Sequence, residues 1–126
     1  MSFLSKGFGA ALIAASIALA TSAFAASPAD DAKQIMSDRC AACHGNTGSG
    51  DGPSAEYLNP KPPNFHDKKW QASITDEEIA KAIVHGGPSI GKSVGMAPNE
   101  DLENQPKVVK ALVQIIRGKA KWPESP

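Results

Sequence analysis

The stretch Cys40-Ala41-Ala42-Cys43-His44 constrains this chain more than any other. Two thiols at that spacing, followed at once by an imidazole, fit covalent attachment of a haem. Each sulfur adds to one vinyl group of the porphyrin, and the adjacent histidine is placed to bind the iron from the proximal side. The spacing needs a short helical turn, which the two small alanines permit. A Cys-x-x-Cys pair is also compatible with a thioredoxin-like redox disulfide or with half of a zinc site. A zinc site wants a second pair of ligands, and these are the chain's two cysteines; a thioredoxin-like motif wants a βαβ surround, and no such pattern is found. Haem attachment is the favoured reading, with the redox disulfide left open.

The amino terminus is read separately and agrees. Lys6 forms a positive region, Ala10 to Ala20 is an apolar run of Ala, Leu and Ile with one Ser, and Ala23-Phe24-Ala25 has the small-x-small pattern of a cleavage site. The run is short of the roughly 20 residues that a membrane span needs. Residues 1–25 are therefore expected to be a signal peptide, cleaved after Ala25, which exports the chain to the periplasm and leaves residues 26–126 as one domain. An uncleaved anchor is the alternative.

Without the leader, three of the four phenylalanines (Phe3, Phe8, Phe24) are gone, and Tyr57, Phe65, Trp70 and Trp122 are the aromatics left. That is a thin supply for the core of a domain of about a hundred residues, and a buried porphyrin would fill the gap. Twelve basic residues then stand against thirteen acidic ones, which is not the footprint of a nucleic-acid binder. Lys61, Lys68 and Lys69 cluster in one loop region, either a docking face or solvated surface.

A first helix is expected from about Asp30 to Cys40, with Ile35 and Met36 facing inward and acidic residues in the first turn. From Gly45 to about Ser73 the Gly-, Pro- and Asn-rich sequence predicts a long loop, one that makes sense in a compact domain when it packs across a prosthetic group. Thr75 and Glu78 form a capping box with Ile74 and Ile79 at the staple positions, and Gly86-Gly87-Pro88 ends that helix. Pro88 to Asn99 is again Gly-rich and holds Met96. A last helix is expected from Pro106, carrying Val108, Val109, Leu112, Ile115 and Ile116 as far as Gly118.

In this order of helix, haem motif, long loop, helix, Met-bearing loop and terminal helix, the chain resembles a monohaem class I cytochrome c. Gly48-Ser49-Gly50-Asp51-Gly52-Pro53 and Pro60-Lys61-Pro62-Pro63-Asn64-Phe65 look like the loop of small bacterial members. The resemblance implies an all-α fold, three or more helices with long loops wrapped around one haem c that is held through Cys40 and Cys43. It implies His44 and Met96 as the axial iron ligands, the Pro53 carbonyl as acceptor from His44 Nδ1, and Trp70 as a hydrogen-bond donor to a haem propionate. Where the family crosses its first and last helices through a glycine and an aromatic residue, this chain has Ala32 and Ile115, and Met36 replaces a usual aromatic; different packing is expected there.

Met36, at a helical position, reads as core filling. His66 and His85 read as surface histidines, with His85 as the alternative sixth ligand. An iron held by imidazole and thioether has no open position, so it changes valence and does not act on a substrate. The expected function is thus a soluble, monomeric, non-enzymatic periplasmic carrier of single electrons, docking transiently with redox proteins at the haem edge. The alternatives are a haem enzyme or gas-binding sensor, should Met96 not ligate the iron, and a thiol-disulfide oxidoreductase.

Overall fold

The computed structural model describes residues 25–123. The expected leader lies outside the described residues except for Ala25. Five α-helices follow in chain order: α1 Pro28–Ile35, α2 Ala41–His44, α3 Lys68–Ser73, α4 Asp76–His85 and α5 Pro106–Ile116. Short 3₁₀ turns occupy Ala55–Tyr57, Gly87–Ile90 and Glu100–Leu102, and no strand occurs among the described residues. No helix among them is long and apolar enough to cross a membrane.

The helix expected from Asp30 to Cys40 starts earlier and runs further. Ser27 is its N-cap, accepting from the Asp30 amide at 3.2 Å, and Pro28 occupies the first turn, where its missing N–H costs nothing. The chain then passes through a π-helical stretch, Met36–Cys40, before regaining α geometry in α2. Wider turns of this kind re-aim side chains within a continuous helix, and here the stretch ends on the first thiol of the motif.

α4 begins as the capping box requires. The Glu78 amide donates to Thr75 Oγ1 at 3.1 Å, and the Thr75 amide donates back to Glu78 Oε2 at 2.9 Å. Ile79, Ala82 and Ile83 are buried on its inner face. The first turn of α5 holds Pro106, and its six buried residues make it the most apolar element of the core.

α5 packs against both α1 and α4. At the first of these contacts Ala32 has no exposed surface and Ile115 retains 4%, so the pair that replaces glycine and an aromatic residue lies fully inside the core. Met36 and Leu112, each 1% exposed, belong to the same cluster.

The stretch expected to be a loop from Gly45 to Ser73 contains α3 near its end. Asp67 caps it, accepting from the Lys69 amide at 2.8 Å. A side-chain network fastens α3 to α5: Gln71 Nε2 donates to the carbonyls of Phe65 and Ile116, at 2.7 and 2.9 Å. Arg117, with 12% of its side chain exposed, donates to both the Gln71 carbonyl and Gln71 Oε1 at 2.8 Å, to the Ile74 carbonyl at 2.6 Å and to Asp76 at 2.6 Å. One guanidinium thereby joins α3, α4 and the end of α5.

Candidate haem site

The helices and the two long loops enclose an apolar cavity of about 480 Å³, within the roughly 300–1,000 Å³ common for cofactor sites. Cys40, Cys43 and His44 line one part of its wall, and Trp70 from α3, Ile79 and Ile83 from α4, and Leu112 and Ile116 from α5 line others. Leu58 and the run Pro60–Pro63 bring the first long loop to it, and Met96 with Ala97 and Pro98 bring the second. The long loop thus packs across the cavity. Five of the six residues singled out from sequence (Cys40, Cys43, His44, Trp70 and Met96) meet on this one surface; Pro53 does not.

The thiol-bearing turn is held by the loop that follows it. All four carbonyls of α2 are taken: Ala41 accepts from Gly45 at 2.9 Å, Ala42 from Ser54 at 2.8 Å, Cys43 from Gly52 at 3.1 Å and His44 from Gly50 at 2.9 Å. A helix C-terminus normally leaves such carbonyls to water or a cap. Here the glycine-rich loop closes over them, which explains why Gly and small polar residues dominate positions 45–54.

Neither Cys40 nor Cys43 is disulfide-bonded. Burial pushes the Cys40 thiol up to about 11, so it stays protonated and uncharged at neutral pH. Burial likewise pushes His44 down to about 4, which keeps its imidazole neutral and its lone pair free. The His44 ring stacks on Phe65 with centroids 4.7 Å apart. Its Nδ1 is buried and has no hydrogen-bond partner.

The expected bond from His44 Nδ1 to the Pro53 carbonyl is not made. Gly52 and Ser54, on either side of Pro53, give their amides to Cys43 and Ala42, which ties this part of the loop alongside α2 and leaves Pro53 exposed. Phe65 covers the ring face and leaves Nδ1 without a partner.

Met96 is half-buried in its loop, its carbonyl accepting from the Gly87 amide at 2.9 Å and its amide donating to Ser93 at 3.2 Å. His85 sits at the exposed end of α4 and lines a separate groove, away from the cavity. His66 is exposed, with Nε2 2.8 Å from the Thr47 carbonyl. Of the three clustered lysines, Lys61 lines the cavity whereas Lys68 and Lys69 lie exposed on α3. Lys92 and Arg39 join Lys61 at the cavity, and Arg39 also contacts Asp101 at 2.9 Å.

Compared with known families, the chain matches the model for cytochrome c over residues 29–114. It belongs to the cytochrome c family. This cytochrome therefore carries haem c, attached covalently at the two cysteines of its motif, and falls among haem-binding electron carriers. No curated protein matches the chain.

The residues present fit that group. A neutral histidine, two thiols on the same wall and an apolar cavity of cofactor size are what a porphyrin and its iron require. Sequence reasoning missed Phe65 as the face against which His44 rests, and Arg39 and Lys92 as charges at the cavity. No local pattern announces the first; the basic neighbours of Cys40 and Ser93 were visible but had no spacing to single them out.

Proposed function

We propose that this chain is a periplasmic carrier of single electrons, with its haem iron held between His44 and Met96 and its electrons passed between redox partner proteins that dock briefly at the haem edge. The observation that carries the reading is the convergence of Cys40, Cys43, His44 and Met96 on one apolar cavity. The haem supplies the change of valence between ferric and ferrous iron. His44, neutral through burial, presents an uncharged donor. Met96 offers a second uncharged donor, and a thioether favours the lower valence. Ile79, Ile83 and Leu112 exclude water, which works in the same direction because a net charge is harder to bear in an apolar surround. The cavity lining carries no Asp or Glu among the described residues, so it has few groups for moving protons on a substrate. Lys61 and Lys92 place positive charge at the cavity, where an acidic partner is steered on approach. Trp70 is assigned to a propionate and the leader to export, with the mature chain starting near Ala26.

Met96→Ala tests the reading. The exported protein should carry one haem that survives acid extraction. The variant should lose the weak sulfur-to-iron charge-transfer band of the ferric form, show a lower reduction potential, and bind carbon monoxide quickly when ferrous. His85→Ala should change none of these. If Met96→Ala left the spectrum and potential as they were while His85→Ala altered both, the iron would be bis-histidine; rapid carbon monoxide binding by the unmutated protein would favour a sensor or enzyme.

A further inference from the structure

The tail beyond α5 turns back onto the side of the molecule behind His44. Gly118, at φ 68°, donates to the Ile115 carbonyl at 2.9 Å, and Lys119 donates to Gln114 at 2.9 Å. These are the two bonds of a Schellman turn, which reverses the chain at a fixed angle. Trp122 is carried onto the glycine-rich loop. A Cβ on Gly48 would lie 2.7 and 2.9 Å from the Cζ3 and Cη2 atoms of that indole and 3.0 Å from Cδ2 of Phe65. The indole thus rests directly on the Gly48 backbone, and a side chain there would have to displace it.

Beneath it the layers run in order. Phe65 lies 5.9 Å from Trp122 and 4.7 Å from His44, centroid to centroid, and the Phe65 amide donates to the Gly48 carbonyl at 2.8 Å. Gly50, in the same loop, holds the His44 carbonyl. Phe65, which also lines the cavity, is 8% exposed, with Trp70 packed on it at 5.0 Å and Trp122 at 5.9 Å. Trp122 itself does not line the cavity. Its indole packs on Gly48 and on Phe65, the ring that stacks on His44.

We propose that Trp122 is a positioning residue for electron transfer: it seals the Gly48–Phe65 layer behind His44, keeps water from the proximal side, and so raises the reduction potential of the haem. The inference rests on the covalent haem and the His44 ligation of the reading above. Its physical basis is the control that an apolar surround exerts over solvent access and local dielectric, and through them over the potential. A tail that merely anchors itself would contribute stability and leave the potential alone.

The test uses the exported holoprotein and two variants, Trp122→Ala and Trp122→Phe. At a fixed applied potential, Trp122→Ala should lower the ferrous-to-ferric ratio about three- to tenfold, a downward shift of about 30–60 mV at 59 mV per tenfold for one electron. The sulfur-to-iron band should remain, and hydrogen exchange of the Phe65 amide should quicken. Trp122→Phe should restore most of the ratio. A melting point that falls in Trp122→Ala while the ratio stays at the parental value overturns the proposal, as does a shift that occurs together with loss of the sulfur band. The parent's own haem content and spectrum report on the underlying reading, whereas the difference between parent and variant reports on Trp122 alone.

Discussion

Gly87→Ala should uncouple Met96, the proposed distal ligand, from the iron by crowding the turn that carries it. Gly87 does not sit at positive φ, so alanine adopts its backbone conformation without strain and the effect comes from contact alone. A Cβ there would lie 2.3 Å from the Ser93 carbonyl oxygen and 3.1 Å from Met96 Cβ. Ordinary contact begins at about 3.4 Å, so the Ser93 carbonyl must retreat by about 1.1 Å. That carbonyl also accepts from the Met96 amide, and the Gly87 amide donates to the Met96 carbonyl, so the retreat moves the whole Ser93–Met96 turn. Overpacking of this kind costs about 1–3 kcal/mol. If the turn relieves it by swinging outward, the equilibrium constant between ligand-bound and unbound loop falls about 5- to 150-fold relative to the parent. The assay is the sulfur-to-iron band of the ferric protein with the rate of carbon monoxide binding to the ferrous form. Gly91→Ala is the control: its φ of 69° imposes strain, but nothing lies within 4 Å of the new methyl, so it should cost stability and keep the band. A Gly87→Ala protein with an undiminished band and slow carbon monoxide binding would refute the argument that this contact sets the Met96 loop.

Two arginines that look alike in sequence should behave differently on truncation. Arg117→Ala leaves the carbonyls of Gln71 and Ile74 without their donor inside the structure and should cost about 3 kcal/mol in denaturant unfolding of the holoprotein. Arg39→Ala removes a pair whose side chains are 45% and 52% exposed and should cost under about 1 kcal/mol. Replacing Cys40 and Cys43 together by alanine should leave a chain of low helicity and no cooperative melt in circular dichroism. A dry cavity of about 480 Å³ would cost ~12 kcal/mol at about 24 cal/mol per Å³, comparable with a domain's whole stability of about 5–15 kcal/mol.

What was legible in the sequence is what local chemistry determines. α4 and α5 were readable because their ends are written in adjacent residues: the Thr75–Glu78 box, Pro106 in a first turn, and glycines beyond each C-terminus. The start of α1 was equally written, in Ser27-Pro28, two residues beyond the expected cleavage site. α3 was missed. Six residues give less than two turns, too few for a hydrophobic period to register, and its principal fastenings are the Gln71 and Arg117 bonds to a helix more than forty residues further along. Asp67 was its single local signal.

The same division runs through the site. Cys40, Cys43 and His44 are consecutive enough to state their chemistry by spacing, and Met96 could be placed by its order after α4. The wall behind His44 has no such signature, because Phe65 and Trp122 come from a loop and a tail that meet through the turn at Gly118. The resemblance assigned the second contact of the imidazole to the Pro53 carbonyl, but in the structure His44 Nδ1 has no hydrogen-bond partner. The amides flanking Pro53 are committed to the α2 carbonyls, and an aromatic face covers the ring. The two thiols and two proposed ligands are thus set by short sequence, while solvent access and the neighbours of the histidine are set by contacts between distant segments. Substitutions at Met96 should therefore decide which ligand binds, and substitutions at Phe65, Gly48 and Trp122 should tune the potential at constant ligation.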